Sequence, residues 1–192
     1  MNKAIILASN SPRRKDLLRQ IGVTFTSDPA HVDESALPGE SPESYAIRMA
    51  LDKAQVVSRR HGAGLIIAAD TVVVLGDTIL GKPMDLKDAE RMLGMLSGKM
   101  HLVITGLALV DSGTGKTLTR AAVTKVWFRN LTPEEVRSYA ATWEPVDKAG
   151  AYGIQEKGSL LVEKIEGCYF NVVGLPLSLL SKLLQDFGIR LL

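Results

Sequence analysis

The hydrophobic pattern of the chain centres on Leu65–Val74, read as Leu-Ile-Ile-Ala-Ala-Asp-Thr-Val-Val-Val, in which every residue but Asp70 is apolar or β-branched. Such a run predicts a strand buried on both faces. An ionised carboxylate in its middle is costly unless paired, hydrogen-bonded or metal-bound. Two readings follow. Either a turn falls at Asp70 and the carboxylate caps the backbone of Val72 or Val73, or Asp70 stands at a strand break and is aimed into a cleft.

The rest of the pattern alternates between the two periods. Ala4–Ala8 predicts a strand, not a signal peptide, because charges return at Arg13–Asp16. Arg13–Ile21 predicts a helix capped by Ser11, with Pro12 in its first turn and Gly22 after it. Val23–Thr26 predicts a strand, and Asp28–Glu40, with Pro29, Pro38 and Gly39, an irregular loop. Ser41-Pro42 opens a helix to about Arg60 on which Tyr45, Met49 (or Ala50), Lys53 and Val56 share helical spacing, so Lys53 borders the apolar stripe. Gly76-Asp77 predicts a hairpin returning through Thr78–Leu80, and Asp85–Leu96 a helix. His101–Val110 and Thr117–Phe128 read as paired strands. Thr132-Pro133-Glu134-Glu135 reads as a capping box opening a helix to about Thr142. Val146–Gln155 reads as a loop, Leu160–Ile165 and Cys168–Val173 as strands, and Pro176–Phe187 as the last helix. The mixture predicts an α/β fold with a curved mixed sheet covered by helices.

Composition narrows the class. The 192 residues are enough for a single domain, residues 1–192, of two lobes, and 46% hydrophobic with 23% charged is ordinary for a globular protein. A net charge of +2 and only 5% aromatic residues argue against a nucleic-acid-binding module. No stretch reaches the roughly 18 apolar residues of a membrane span, and a cytoplasmic location is expected. The single cysteine, Cys168, reads as a small buried hydrophobe, and the three histidines lack zinc spacing. Gly113-Thr114-Gly115-Lys116-Thr117 imitates part of a phosphate-binding loop. The full pattern requires Gly where Val110 stands and a helix where Leu118–Phe128 reads as strand. A hairpin turn explains these glycines better.

Arg13 and Arg14 lie in a first helical turn, where the macrodipole disfavours cations. Snorkelling or pairing with Asp16 is one explanation. An anion held by the helix N-terminus and by arginine together is the other. Ser9, Arg13, Glu34, Lys53, Asp70, Lys82, Lys148 and Gln155 together offer cations for a polyphosphate and carboxylates for a divalent metal.

Five stretches carry a resemblance: Ser9-Asn10-Ser11-Pro12-Arg13-Arg14, Asp33-Glu34-Ser35, Ala69-Asp70-Thr71-Val72-Val73, Leu80-Gly81-Lys82-Pro83 and Asp147-Lys148-Ala149-Gly150-Ala151-Tyr152-Gly153-Ile154-Gln155. With Asn171-Val172-Val173-Gly174-Leu175-Pro176, they resemble the Maf family of nucleotide pyrophosphatases from Ile5 to about Leu180. The resemblance implies a two-lobed architecture shared with the inosine triphosphate pyrophosphatases, with a central cleft. It implies hydrolysis of a nucleoside triphosphate between its α- and β-phosphates, preventing incorporation of non-standard nucleotides. Asp70 would accept the proton of the attacking water, and Glu34 with Asp70 would hold Mg²⁺ or Mn²⁺. Ser9, Arg13, Lys53, Lys82 and Lys148 would bind phosphates. Arg13, Thr71 and Gln155 would set specificity for dTTP and UTP, and modified pyrimidine nucleotides are also expected. Gln155 is expected as a buried amide reading the base; closure of the turn after Gly153 is the plainer role. A homodimer is a further expectation. The competing reading is a nucleotide-sensing regulator of septum formation whose turnover is incidental.

Overall fold

Among the described residues seven strands, β1 (Ile5–Leu7), β2 (Thr26–Ser27), β3 (Leu65–Leu75), β4 (Thr78–Leu80), β5 (Met100–Asp111), β6 (Thr117–Phe128) and β7 (Val162–Glu166), form one sheet in the order β2-β1-β3-β5-β6-β7, with β4 paired to β3. The structure, a computed structural model, describes residues 3–192. The helices are α1 (Pro12–Gln20), α2 (Pro42–Ser58), α3 (Leu86–Leu96), α4 (Pro133–Ala140), α5 (Tyr169–Val173) and α6 (Leu177–Gln185). None of the described helices is long and apolar enough to cross a membrane. The fold is the expected mixed α/β class, and the Gly113–Gly115 stretch is a turn between β5 and β6 in which the Asp111 carboxylate accepts from the Gly113 and Thr114 N–H groups.

The chain divides into two compact units. The first comprises Met1–Asp70, Thr105–Ala122 and Gly174–Leu192, and the second Thr71–Ile104 and Val123–Val173. In the first, β1 pairs parallel with both β2 and the first three residues of β3. Helix α2 begins where Ser41 Oγ accepts from the Ser44 N–H at 3.2 Å with Pro42 at its first position. It lays Ala50, Ala54 and Val57 on Ile6, Ala8, Ile66, Ala68, Ala108 and Val110. The approach is close because residue 106 is glycine. A Cβ there would stand 2.2 Å from the Ala46 carbonyl oxygen.

In the second unit β3 pairs antiparallel with β4 through Val73–Leu75, and β6 with β7. Asp85 caps α3, and Thr132 with Glu135 forms the capping box of α4. His101, Phe128 and Tyr152 pack edge to face, and the His101 Nε2 lies 2.7 Å from the Tyr152 hydroxyl. His101 is 1% exposed, and burial pushes its pKa from 6.5 down to about 4. Its folded pKa is depressed, so the neutral ring contributes stability at pH 7 that is lost as pH falls from 6.5 towards 4. That linkage amounts to roughly 3 kcal/mol. We expect the melting temperature to drop between pH 7 and pH 4.5, and the His101→Phe variant, though less stable at both pH values, to drop less. Equal slopes in the two proteins would assign the acid sensitivity to other groups.

Three sequence expectations are corrected. Strand β3 runs unbroken through Asp70, so neither a turn nor a strand break falls there. Cys168–Val173 is not a strand: Tyr169–Val173 is helix α5. The Thr124 Oγ1 accepts from the Cys168 N–H and the Asn171 side-chain amide and donates to the Cys168 carbonyl, all at 3.0 Å, which holds the segment in a turn rather than a ladder. Cys168 itself is only partly buried.

Candidate functional site

Asp70 is made tolerable in β3 by a lysine from another element. The Lys53 Nζ lies 2.6 Å from the Asp70 Oδ1 and 2.7 Å from the Glu34 Oε1. Lys53 and Asp70 are nearly covered, with side chains 13% and 15% exposed, whereas Glu34 is open to solvent. Helical spacing puts Lys53 beside the apolar stripe of α2, from which its ammonium reaches Asp70 in β3. Glu34 comes from the irregular loop, which α2 pins in place. The Tyr45 hydroxyl donates to the Glu34 carbonyl at 2.8 Å, and Arg48 donates to the Ser35 carbonyl at 3.0 Å. Arg48 also grips both oxygens of Glu40, at 2.6 and 2.7 Å, and holds that carboxyl down at about 2. Burial raises the Tyr45 pKa, and the charges of Asp70 and Glu34 raise it further.

At the β1–α1 junction, the buried Ser9 Oγ accepts from the Ser11 N–H at 3.1 Å and from Arg14 at 3.4 Å. Arg14 also donates to the Gly174 carbonyl at 2.9 Å. Burial lowers the Arg14 pKa, Asp70 and Glu34 oppose that shift, and Arg13 adds to it. Of the two arginines expected to face an anion, Arg14 is thus tied to the fold around Ser9. That role was hidden in the sequence because its carbonyl partner lies 160 residues away.

The second unit holds Thr71, Lys82, Lys148 and Gln155. Thr71 follows Asp70 in β3 and is half-buried. Lys82 is exposed, in the irregular segment after β4, where the Gly81 carbonyl accepts from the Gly150 N–H at 2.9 Å. Gly150 is required there twice over. Its φ is +67°, and a Cβ would meet the Val73 side chain at 2.9 Å. The Val146–Gln155 stretch, expected as a loop, contains short 3-10 turns at Glu144–Asp147 and Ala149–Ala151. The Lys148 Nζ donates to the Glu144 carbonyl at 2.5 Å and to Asp147 at 2.8 Å, and its stem packs on Gly153. Gln155 lies exposed, not buried as expected, because the turn buries its neighbour Ile154 and leaves residue 155 on the outer side.

The first unit therefore brings Glu34, Lys53 and Asp70 into direct contact. Among the described residues no three Asp, Glu, His or Cys side chains gather as a metal cage. Two carboxylate oxygens do converge on one cation, the Lys53 ammonium. That donor set suits a hard divalent ion that takes one or two protein carboxylates and completes its shell with substrate phosphates and water.

The seven-stranded sheet and its helices define a mixed α/β protein with the Ham1 fold. The chain superposes on a HAM1 protein from Coxiella burnetii with a TM-score of 0.57 and 15% identity, covering 96% of this chain and 100% of that one. It superposes on the Ham1 protein of Staphylococcus aureus with a TM-score of 0.55 and 14% identity over the same shares. Residues 4–187 match the family described as Maf-like protein, and the chain belongs to it. A dTTP/UTP pyrophosphatase from Syntrophomonas wolfei is 50% identical over 97% of this chain and 98% of its own. One from Methanosarcina barkeri is 45% identical over 98% of this chain and 96% of its own.

Proposed function

We infer that this protein is a nucleoside triphosphate pyrophosphatase that converts dTTP and UTP to the monophosphate and pyrophosphate. One observation carries the chemistry: a lysine from α2 bridges a strand carboxylate and a loop carboxylate, at 2.6 and 2.7 Å. It occurs in a chain half identical, over almost its whole length, to dTTP/UTP pyrophosphatases.

Asp70 is the general base. Lys53 engages its Oδ1, and the carboxylate retains further acceptor capacity for a water proton. The water oxygen bonds to phosphorus as the α–β bridging P–O bond breaks, the proton passes to Asp70, and pyrophosphate leaves. Glu34 and Asp70 would hold Mg²⁺ or Mn²⁺, which supplies Lewis acidity and charge neutralisation. Ser9 would hydrogen-bond a phosphate oxygen while Arg13, Lys53, Lys82 and Lys148 neutralise the phosphates, and cations fixed on the non-reacting oxygens stabilise charge developing in the transition state. Arg13, Thr71 and Gln155 select the base.

Purified protein assayed by pyrophosphate release against the common nucleoside triphosphates should turn over dTTP and UTP best. Tight binding with slow or absent hydrolysis would instead mark a nucleotide-sensing regulator. Lys82 gives a sharper test because it is exposed. We expect Lys82→Met to lower kcat/KM by about tenfold or more, as loss of a charge-assisted phosphate contact does. An exposed substitution of this kind should barely move the melting temperature. Unchanged kinetics with a large stability loss would show that the lysine is only packed.

A further inference from the structure

The exposed Gln155 side chain gains no fixed direction from burial, so its backbone must supply one. The chain around it is stapled from behind. The Tyr139 hydroxyl, on α4, accepts from the Gly153 N–H at 3.2 Å and donates to the Glu144 Oε1 at 3.0 Å. The same carboxylate oxygen accepts from the Gly158 N–H at 3.2 Å. One relay, Gly153 to Tyr139 to Glu144 to Gly158, thus closes both ends of the turn that carries Gln155. The two ends touch: a Cβ on Gly158 would lie 1.9 Å from the Gly153 carbonyl oxygen and 2.6 Å from the Tyr139 hydroxyl. Between them Glu156 is held at φ +52°, a conformation that side chains rarely adopt without outside restraint. Tyr139 is 5% exposed, and burial raises its pKa, so the hydroxyl keeps its proton and remains a donor at working pH. Glu144 is a node in a second sense. Its carbonyl accepts from Lys148, joining the base-reading turn to a phosphate-binding candidate.

We propose that Tyr139 and Glu144 are positioning residues for base selection, fixing the Gly153–Gly158 turn so that the Gln155 amide meets the pyrimidine edge in one orientation. This rests on the reading that Gln155 recognises the base.

The test compares kcat/KM for UTP and CTP in the unmodified protein and in Tyr139→Phe, Glu144→Ala, Glu144→Gln and Gln155→Ala, with amide exchange at Gly153 and Gly158 recorded alongside. Tyr139→Phe keeps the buried ring and removes only the hydroxyl. We expect it and Glu144→Ala to reduce the UTP-to-CTP ratio by about tenfold, mainly through KM for UTP, as one buried hydrogen bond left unmade would do. Exchange at both glycine amides should quicken. Glu144→Gln retains an oxygen acceptor and should rescue the ratio. Discrimination that Gln155→Ala abolishes, but that Tyr139→Phe and Glu144→Ala both preserve, overturns the positioning role and leaves base reading intact. Equal values for UTP and CTP in the unmodified protein overturn base reading, and the positioning role with it.

Discussion

Asp70→Asn should lower turnover of dTTP and UTP by on the order of 100-fold or more, the range seen when a general base is lost. The fold should survive. Asparagine is nearly isosteric, its Oδ1 can still accept from Lys53, and Lys53 keeps Glu34 as its counter-charge. The melting temperature should therefore stay within a few degrees while steady-state pyrophosphate release collapses. Adding Mg²⁺ or Mn²⁺ should not restore activity, because the missing function is acceptance of a proton. Near-normal turnover in this variant would reduce Asp70 to a structural partner of Lys53.

Selectivity between pyrimidines is the second large effect. An amide offers one acceptor and two donors, so Gln155 can accept from the N3–H of uracil or thymine and donate to the neighbouring carbonyl. Cytosine reverses that edge. Each group left unpaired on covering the base costs about 1–3 kcal/mol, and two are mismatched, so CTP should be poorer than UTP by roughly 30-fold or more in kcat/KM. Gln155→Glu should suppress dTTP hydrolysis, since a carboxylate has no donor for the carbonyl. Because Gln155 is exposed, this discrimination depends on its turn holding the amide in one orientation, since an amide free to rotate could pair with either edge. Equal kcat/KM for UTP and CTP would leave Gln155 with the plainer role of closing its turn.

The chain announces its local devices well. Ser11, Ser41, Asp85 and Thr132 all cap helices, with proline at the first position after three of them, because each cap is settled within four residues. Asp70 and Lys53 were legible for a related reason: a charge in an apolar run or on an apolar stripe is conspicuous, whereas Glu34, Lys82 and Lys148 stand in loops and were marked by the family resemblance. What satisfied them was not. Asp70 needed no strand break because Lys53, 17 residues earlier on α2, reaches it. The aromatic and β-branched composition of Cys168–Val173 suggested a strand, and a threonine 44 residues away made it a turn of helix. Arg14 and Tyr45 were visible but their partners were not, and Arg48, Tyr139 and Glu144 carried no signal at all, since each acts through a backbone carbonyl or amide distant in sequence. The spacing of Tyr45 from Lys53 on one helix was a hint for one of them.

Gly106 touches no candidate catalytic group, yet it sets the level at which α2 rides over the sheet, because its missing side chain is the space taken by the Ala46 carbonyl. Lys53 lies seven residues further along that helix, about 10 Å up its axis. A survey of random variants scored by pyrophosphate release would therefore rank position 106 beside Asp70, although one is a matter of clearance and the other of proton transfer. The two classes separate only when the amount of folded protein is scored apart from its rate. Intolerance at a position is thus no guide, in this fold, to whether a residue meets the nucleotide.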